Sequence, residues 1–523
     1  MRFTTIEEEI AVTKFKKGIE REIEGYFEEK GFNLIEPPIF QKYDKYMASN
    51  YRQDSSAIVK VLGGGSNILV LRPDITINVL GDIFSKWEGD YPLKIYYNSK
   101  VYYNGPESWV AANHQMGIES LGEDVLVGDT QALEMASIIL GILKEPYILE
   151  IGYSKYLDGF FNEIQLSIDD ENELKELISK KNRCELKDKV GKLALNNTLL
   201  DRILDIQGDI EDVVDMAAPF CINGEMKESI EQLEKIREFL VDKGYKENIK
   251  LDLSMIADYH YYDGLIFKGY SISSPKKILS GGRYDRLTEE FEMRVPAIGF
   301  MVDMDYITRI GLEGKMVEKV TIAIAKGRLG EKGVELFTNS ELEIVREKKS
   351  RKLIFTDKNK EVKYIFVKPA DVVTYVEKGV ADLGIVGKDI ILEENKDVYE
   401  ILDLDFGKCN FVIAGFKNGN YKKKNQTLRI ATKYTNYTQR VFENRNQKIE
   451  IIKLNGSVEL APLLDLSDVI VDIVETGKTL KDNGLEVLEK LDYVSARLIA
   501  NKASYRFKYN IIKKIERILG VSE

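Results

Sequence analysis

The feature that most constrains this chain is a change of rhythm near residues 311–319, where GLEGKMVEK is short, polar and glycine-bearing. After it, strand-like and helix-like segments alternate: VTIAIA then a helix, KYIFVK then ADVVTYVEKG, ADLGIVG then a helix. That alternation predicts parallel sheets. Before it the pattern is different. Residues 6–30 carry Ile6, Ile10, Phe15, Ile19, Ile23 and Phe27 at near-helical spacing. GFNLIEPPIF predicts a turn and a short strand, ended by Pro37 and Pro38. Residues 56–120 read as mostly strand-like, with a hairpin turn signal at the glycines 63–65. Residues 124–142 and 168–245 read as charged helices, HYYDGLIFKGYSI returns to strand, and KKILSGGRYDRL follows after a turn. This is an antiparallel-sheet-plus-helices, α+β pattern. We therefore divide the chain into residues 1–315 and 319–523, the second part large enough for two α/β lobes, the later one at about 417–494. The full 523 residues exceed one hydrophobic core.

Composition narrows the function classes. With 44% apolar and 31% charged residues the chain has the balance of a soluble globular protein. No apolar run approaches the roughly 18 residues of a membrane span. MRFTTIEEEIAVTKF lacks the apolar core of a signal peptide, so a cytoplasmic protein without membrane association is expected. Cys184, Cys221 and Cys409 are far apart, which argues against a disulfide framework or a structural zinc site. His114 and His260 are the only histidines, too few for a His-rich metal site, and no protein-held metal is expected. A net charge of −11 weighs against nucleic-acid binding, while leaving room for local basic pockets.

The sharpest local signal is SDVIVDIVETGKTLKDNGLEVLEKL at 467–491. VIVDIV predicts a buried strand, ETGKT a tight loop and LKDNGLEVLEKL a helix. Loop amides at a helix N-terminus suit a phosphate, held here by the 475–480 turn: Glu475, Thr476, Gly477, Lys478, Thr479 and Leu480. Thr476 and Thr479 add hydroxyl donors. Asp472 and Glu475 are poor phosphate ligands but suit ribose hydroxyls or Mg²⁺, so a sugar phosphate explains the loop better than a bare nucleoside triphosphate. The loop is not a P-loop, because that motif needs glycine where Asp472 stands. An ordinary strand–turn–helix connection is the alternative. Lys326, Gly327 and Arg328 follow VTIAIA, at the strand end where α/β folds bind ligands. Ser350-Arg351-Lys352 supplies a second basic cluster, and glycine turns carry Asp389, Ser457 and Glu459. Surface ion pairs for the two arginines, and helix capping for Lys326 and Asp389, are the structural alternatives.

KGRL, SRKL, PADVVTYVEKGVADLGIVGKD, LDFGKC, RIATKY, GSVELAPLLDLSDVIVDIVETGKTL and SARLIANK resemble, in order, the short-form ATP phosphoribosyltransferases. The resemblance implies two α/β lobes like those of periplasmic binding proteins, with the active site in their cleft. It implies that N1 of ATP attacks C1 of phosphoribosyl pyrophosphate, with Mg²⁺ accompanying the substrates, in the first step of histidine biosynthesis. Arg328, Arg351 and Lys326 would then stabilise departing pyrophosphate. The 475–480 loop would hold the 5-phosphate, with Asp472 or Glu475 near the ribose hydroxyls. Adenine N1 is already a nucleophile, so no general base is required.

In the N-terminal part, LRPDITINVL (71–80), HQMGIESLG (114–122), YYDGLIFKGY (261–270), GGRYDRL (281–287) and AIGFMVDMD (297–305) resemble the histidyl-tRNA synthetase core, a class II synthetase-like antiparallel-sheet domain. The resemblance puts a histidine pocket on Asp74, Thr76, Gln115, Glu119, Tyr261 and Tyr262. Three arginines expected in that family fall on Tyr103, Ala257 and Tyr306, so adenylate chemistry is not expected. The N-terminal part reads as a regulatory, histidine-sensing subunit fused to its enzyme, mediating feedback inhibition. By analogy the chain is a homo-oligomer, a tetramer or a dimer. An active synthetase with an appended domain, and a pure solute-binding sensor, are the rival readings.

Overall fold

The computed structural model describes the chain except residues 1–4, 49–57, 65–66, 90, 106–109, 196–197, 258–260, 314–318, 346–351, 360, 418–426, 444, 446 and 521–523. It separates into two compact units, Met1–Ser179 with Glu185–Val317, and Lys180–Cys184 with Glu318–Glu523.

Among the described residues of the first unit, a nine-stranded sheet runs in the order Asn33–Leu34, Leu93–Asn104, Val110–Leu121, Ala297–Asp303, Leu279–Arg283, Leu265–Ser271, Tyr147–Tyr153, Ile249–Asp252 and Gln207–Asp209. Its centre is antiparallel, as the sequence predicts. The helices Ile6–Glu29, Val125–Gly141 and Gly224–Asp242 contribute to its larger core, where Ile23, Phe27, Leu133, Leu233 and Phe267 are fully buried. A second, smaller core holds Ile77, Val79, Leu80, Trp87, Tyr97, Tyr261 and Tyr284.

That smaller core depends on the helix Thr76–Ile83, which the strand-like reading of 56–120 does not contain. Its β-branched residues favour strand locally. Tertiary burial decides otherwise: Ile77, Val79, Leu80 and Ile83 are all inside, and Asp74 Oδ1 accepts the amide of Ile77 at 2.8 Å at the helix start. The glycine turn does form a hairpin, Lys60–Leu62 against Ile68–Leu71.

The second unit has two mixed sheets. One runs Ile354–Thr356, Val362–Val367, Val320–Ala325, Leu383–Gly387, Ala496–Ala500 and Tyr399–Asp403. The other runs Ile449–Lys453, Leu428–Thr432, Val469–Val474, Cys409–Gly415 and Glu486–Val494. The expected parallel pairing holds for three strands of each sheet. The others run antiparallel, and these include the strands by which the chain passes between sheets, Cys409–Gly415 going out and Ala496–Ala500 coming back. They arrive without the helical crossover that parallel pairing needs.

The predicted helix LKDNGLEVLEKL is corrected. Only Lys478–Asp482 is helical, and Glu486–Val494 is a strand against Cys409–Gly415. Gly484, at φ +69°, supplies the left-handed residue that ends the turn. Beyond it the sheet edge outweighs the helical spacing of the leucines.

One buried ion pair fixes the first unit internally. Arg283 Nη2 lies 2.6 Å from Asp129 Oδ1, both side chains 2% exposed, and Arg283 Nη1 lies 2.9 Å from Asp285 Oδ1. Asp129→Ala leaves a buried guanidinium without its main partner and should cost about 3–5 kcal/mol. Lys86→Ala removes only an exposed pair with Asp82 and should cost less than about 1 kcal/mol. Trp87 is buried in this unit's smaller core, so the fluorescence midpoint in urea reads each effect. Equal midpoints for the two variants would contradict this account of the pair.

Candidate functional site

All six N-terminal candidates line one cavity that opens to solvent. Gln115 and Glu119 project from the same face of the strand Val110–Leu121, an even number of residues apart. Asp74 and Thr76 come from the start of the helix Thr76–Ile83. Tyr261 and Tyr262, with ring centroids 4.8 Å apart, close another side. Tyr97, Ser280, Tyr284 and Gly299 also line the cavity and are missed by the sequence reading.

Glu119 is the centre of this arrangement, 1% exposed. Its Oε1 accepts from Thr76 Oγ1 at 2.7 Å, and its Oε2 accepts from the Tyr284 hydroxyl. Burial pushes its carboxyl up to about 8; the two hydroxyl donors pull the other way, and Asp74 adds to the rise. Burial likewise raises Asp74 to about 6, against the amides of Ile77 and Thr76. Gln115 Nε2 donates to Asn113 Oδ1 at 3.0 Å. Of the positions where cations were expected, Tyr103 is exposed and Tyr306 packs beside the larger core.

In the second unit, Lys326, Gly327 and Arg328 follow the strand Val320–Ala325 as expected, and Gly327 has φ +100°. Arg328 begins the helix Arg328–Glu335, and its Nη2 lies 3.0 Å from Glu475 Oε2. Both side chains are well exposed, at 81% and 57%. Arg351 lies outside the described residues. Asp389 lies in the first turn of the helix Lys388–Glu394, and its Oδ2 accepts from the Tyr434 hydroxyl at 2.8 Å.

Two titrating groups show how the remaining acids gather. The Cys409 thiol is raised to about 11, first by burial, then by Asp389 and Glu475, while Arg328 opposes the rise and Asp472 adds to it. Asp472 is raised by burial; the Ile473 amide and Lys433 lower it, and Glu459 and Asp389 raise it. Asp389, Asp472, Glu475 and Arg328 therefore share one electrostatic neighbourhood, with Glu459 reaching Asp472. Lys433 is missed by the sequence reading, although RIATKY contains it. It follows its strand, Leu428–Thr432, as Lys326 follows Val320–Ala325.

The 475–480 loop is only partly as expected. Thr476, Lys478 and Thr479 are exposed, and Gly477 is left-handed at φ +74°. Leu480, however, is 5% exposed and packs into an apolar core, so its side chain is not at a binding surface. The helix after the loop has five residues, too short for much of the dipole that the phosphate argument assumed. Ser457, exposed and at φ +48°, opens the turn whose Glu459 precedes the helix Leu460–Leu463. Among the described residues no cluster of three His, Cys, Asp or Glu is placed to hold a metal ion, and no helix is long and apolar enough to cross a membrane.

Comparison with known proteins yields two family matches, ATP phosphoribosyltransferase over residues 368–520 and histidyl-tRNA synthetase over residues 11–307. An ATP phosphoribosyltransferase of Clostridioides difficile is 57% identical over 202 residues, which is 39% of this chain and 97% of the relative. One of Brachyspira hyodysenteriae is 55% identical over 200 residues, 38% of this chain and 96% of the relative. A crystal structure described as an ATP phosphoribosyltransferase regulatory subunit/histidyl-tRNA synthetase from Bacillus halodurans is 25% identical. It covers 64% of this chain and 87% of its own, with a TM-score of 0.54. The chain belongs to the histidyl-tRNA synthetase family through its N-terminal part and to the ATP phosphoribosyltransferases through its C-terminal part, a histidine-biosynthesis enzyme fused to a synthetase-like domain.

Proposed function

We propose that residues 319–523 transfer the phosphoribosyl group of phosphoribosyl pyrophosphate to N1 of ATP, and that residues 1–315 sense histidine and inhibit that transfer. The observation that carries the catalytic reading is the Arg328–Glu475 pair. It brings the cation after the strand Val320–Ala325 to the loop after the strand Val469–Val474, beside Asp389 and Asp472.

In this reading adenine N1 forms a bond to ribose C1 as the bond from C1 to the pyrophosphate oxygen breaks. Positive charge develops on the ribose and negative charge on pyrophosphate. Arg328, with Lys326 and Arg351, meets the leaving pyrophosphate, and exposed Arg328 exchanges Glu475 for a phosphate oxygen. Glu475 or Asp472 is then available to the ribose hydroxyls. Thr476, Lys478, Thr479 and the amides of Gly477 and Leu480 face the 5-phosphate. Gly327, Asp389, Ser457 and Glu459 complete substrate binding. The oxygen donors of Asp472 and Glu475 suit Mg²⁺ arriving with the substrate phosphates, where it would neutralise pyrophosphate charge. A two-lobed, periplasmic-binding-protein-like closure, with the second lobe at about 417–494, and assembly into a dimer or tetramer belong to the same proposal.

The regulatory reading rests on the single cavity that collects Asp74, Thr76, Gln115, Glu119, Tyr261 and Tyr262. Two carboxyls among hydroxyls and an amide suit an ammonium and an imidazole.

Incubating the full chain with ATP, phosphoribosyl pyrophosphate and Mg²⁺ should raise the product's ultraviolet absorbance. Arg328→Ala should lower kcat by about 100- to 1000-fold, the scale of losing one preorganised donor. Its unfolding midpoint should not move, because an exposed ion pair contributes little to stability. Unchanged turnover would remove Arg328 from its role. Histidine should inhibit the parent, and Glu119→Gln should relieve inhibition while sparing turnover; equal inhibition would place the effector elsewhere.

Glu119 also gives a pH signature without histidine. Its folded value of about 8 lies above an ordinary carboxyl. Its contribution to stability is therefore complete below about 4.3 and is lost as pH rises through about 8. Melting temperatures of parent and Glu119→Gln measured from pH 5 to 8.5 should show the parent losing ground to the variant as pH rises. Parallel curves would mean that the carboxyl is not held neutral.

A further inference from the structure

The cavity around Glu119 has a one-sided charge inventory. Its lining carries two carboxyls, Asp74 and Glu119, and among the described residues no lysine, arginine or histidine. Two arginines adjoin the cavity in sequence, and both are committed elsewhere. Arg72, which precedes Pro73, donates Nε to Lys100 O at 2.7 Å and Nη1 to Pro37 O. Arg283, which precedes Tyr284, is held by Asp129, Asp285 and the carbonyl of Val125. The hydroxyls nearest the buried carboxyl are also engaged, Thr76 on one oxygen of Glu119 and Tyr284 on the other.

An amino-acid ligand brings one ammonium and one carboxylate. The ammonium finds charge complementarity here. The carboxylate finds no cation among the described lining residues to repay its desolvation, and has acids for neighbours.

We propose that this cavity selects compounds bearing an ammonium and an imidazole, with no requirement for the α-carboxylate, so that an imidazole-ethylamine binds about as well as the amino acid or better. The inference rests on the reading of the cavity as the histidine site. Specificity then comes from the pairing of two carboxyls with two basic nitrogen groups. The α-carboxylate points to the open mouth and contributes nothing favourable.

The test is calorimetric titration of the full chain with three probes: histidine, histamine, which lacks the carboxylate, and imidazolepropionate, which lacks the ammonium. Histamine should bind within about fivefold of histidine or more tightly, should displace histidine competitively, and should inhibit turnover as histidine does. Imidazolepropionate should bind about 100-fold more weakly or not detectably, because it leaves the carboxyls unmatched. Histamine weaker than histidine by more than about fivefold would overturn the proposal while leaving the histidine site intact. Histidine that fails to bind, or binds equally to a folded Glu119→Gln variant, would sink the effector reading instead. Thr76→Ala, which removes a donor to the same carboxyl, supplies a second variant should Glu119→Gln fold poorly.

Discussion

Glu119 can keep its carboxyl inside the sheet only because residue 299, paired across from it, has no side chain. A Cβ built on Gly299 would stand 1.8 Å from Glu119 Oε2 and 2.5 Å from the carbonyl of Ile118. That vacancy is what the strand Ala297–Asp303 contributes to the cavity. Once the carboxyl sits there, burial holds it largely protonated near neutral pH, and its oxygens need donors. Thr76 and Tyr284 supply them from two different segments. The position of Tyr284 in turn follows from Arg283, whose guanidinium is anchored in the Asp129–Asp285 network. A glycine, a buried ion pair and a short helix thus converge on one carboxyl.

The second unit uses a weaker kind of contact at its candidate centre. The Arg328–Glu475 pair is exposed, and such pairs stabilise folds by little. That is a suitable property for a site that must admit polyanions. A fully buried ion pair would have to be broken at a cost of several kcal/mol before phosphate could enter. An exposed one exchanges partners with little loss. The rigidity comes instead from the strands behind it, Val320–Ala325 and the first half of Val469–Val474, which are buried.

Much of this was legible in the sequence because the relevant residues sit in ordered local motifs. The strands VTIAIA, ADLGIVG and VIVDIV were readable from apolar runs bounded by glycine or charge. The six cavity residues were readable from motif resemblance and do share one cavity. What was not legible depended on long-range pairing. Thr76–Ile83 is rich in β-branched residues and becomes helical only because its apolar side chains meet the sheet. Glu486–Val494 carries leucines at helical spacing and becomes a strand because Cys409–Gly415 offers an unpaired edge. Gly299 and Tyr284 belong to quoted motifs, yet nothing in those motifs says that both are spent on Glu119. Lys433 was hidden for the same reason: its value lies in standing near Asp472, from a different strand.

In the proposed reading, the charge pattern of the two units lets an effector pocket coexist with substrates that share its chain. ATP and phosphoribosyl pyrophosphate are polyanions, present whenever the enzyme works. A cavity lined by two carboxyls offers their phosphates no described cation to repay desolvation. A synthetase pocket needs cations to hold an adenylate; here the resemblance puts those positions on Tyr103, Ala257 and Tyr306. In the proposed reading, a pocket without those cations gives nucleotide phosphates no partner and leaves an amine ligand favoured. On the other side, Lys326, Arg328 and Lys433 border the acids of the catalytic unit, where phosphate is wanted. A regulatory ligand can shift turnover only by its differential affinity for active and inactive states. In the proposed reading, any substrate bound in the effector cavity would dilute that difference, and the lack of a described cation in its lining works against such binding.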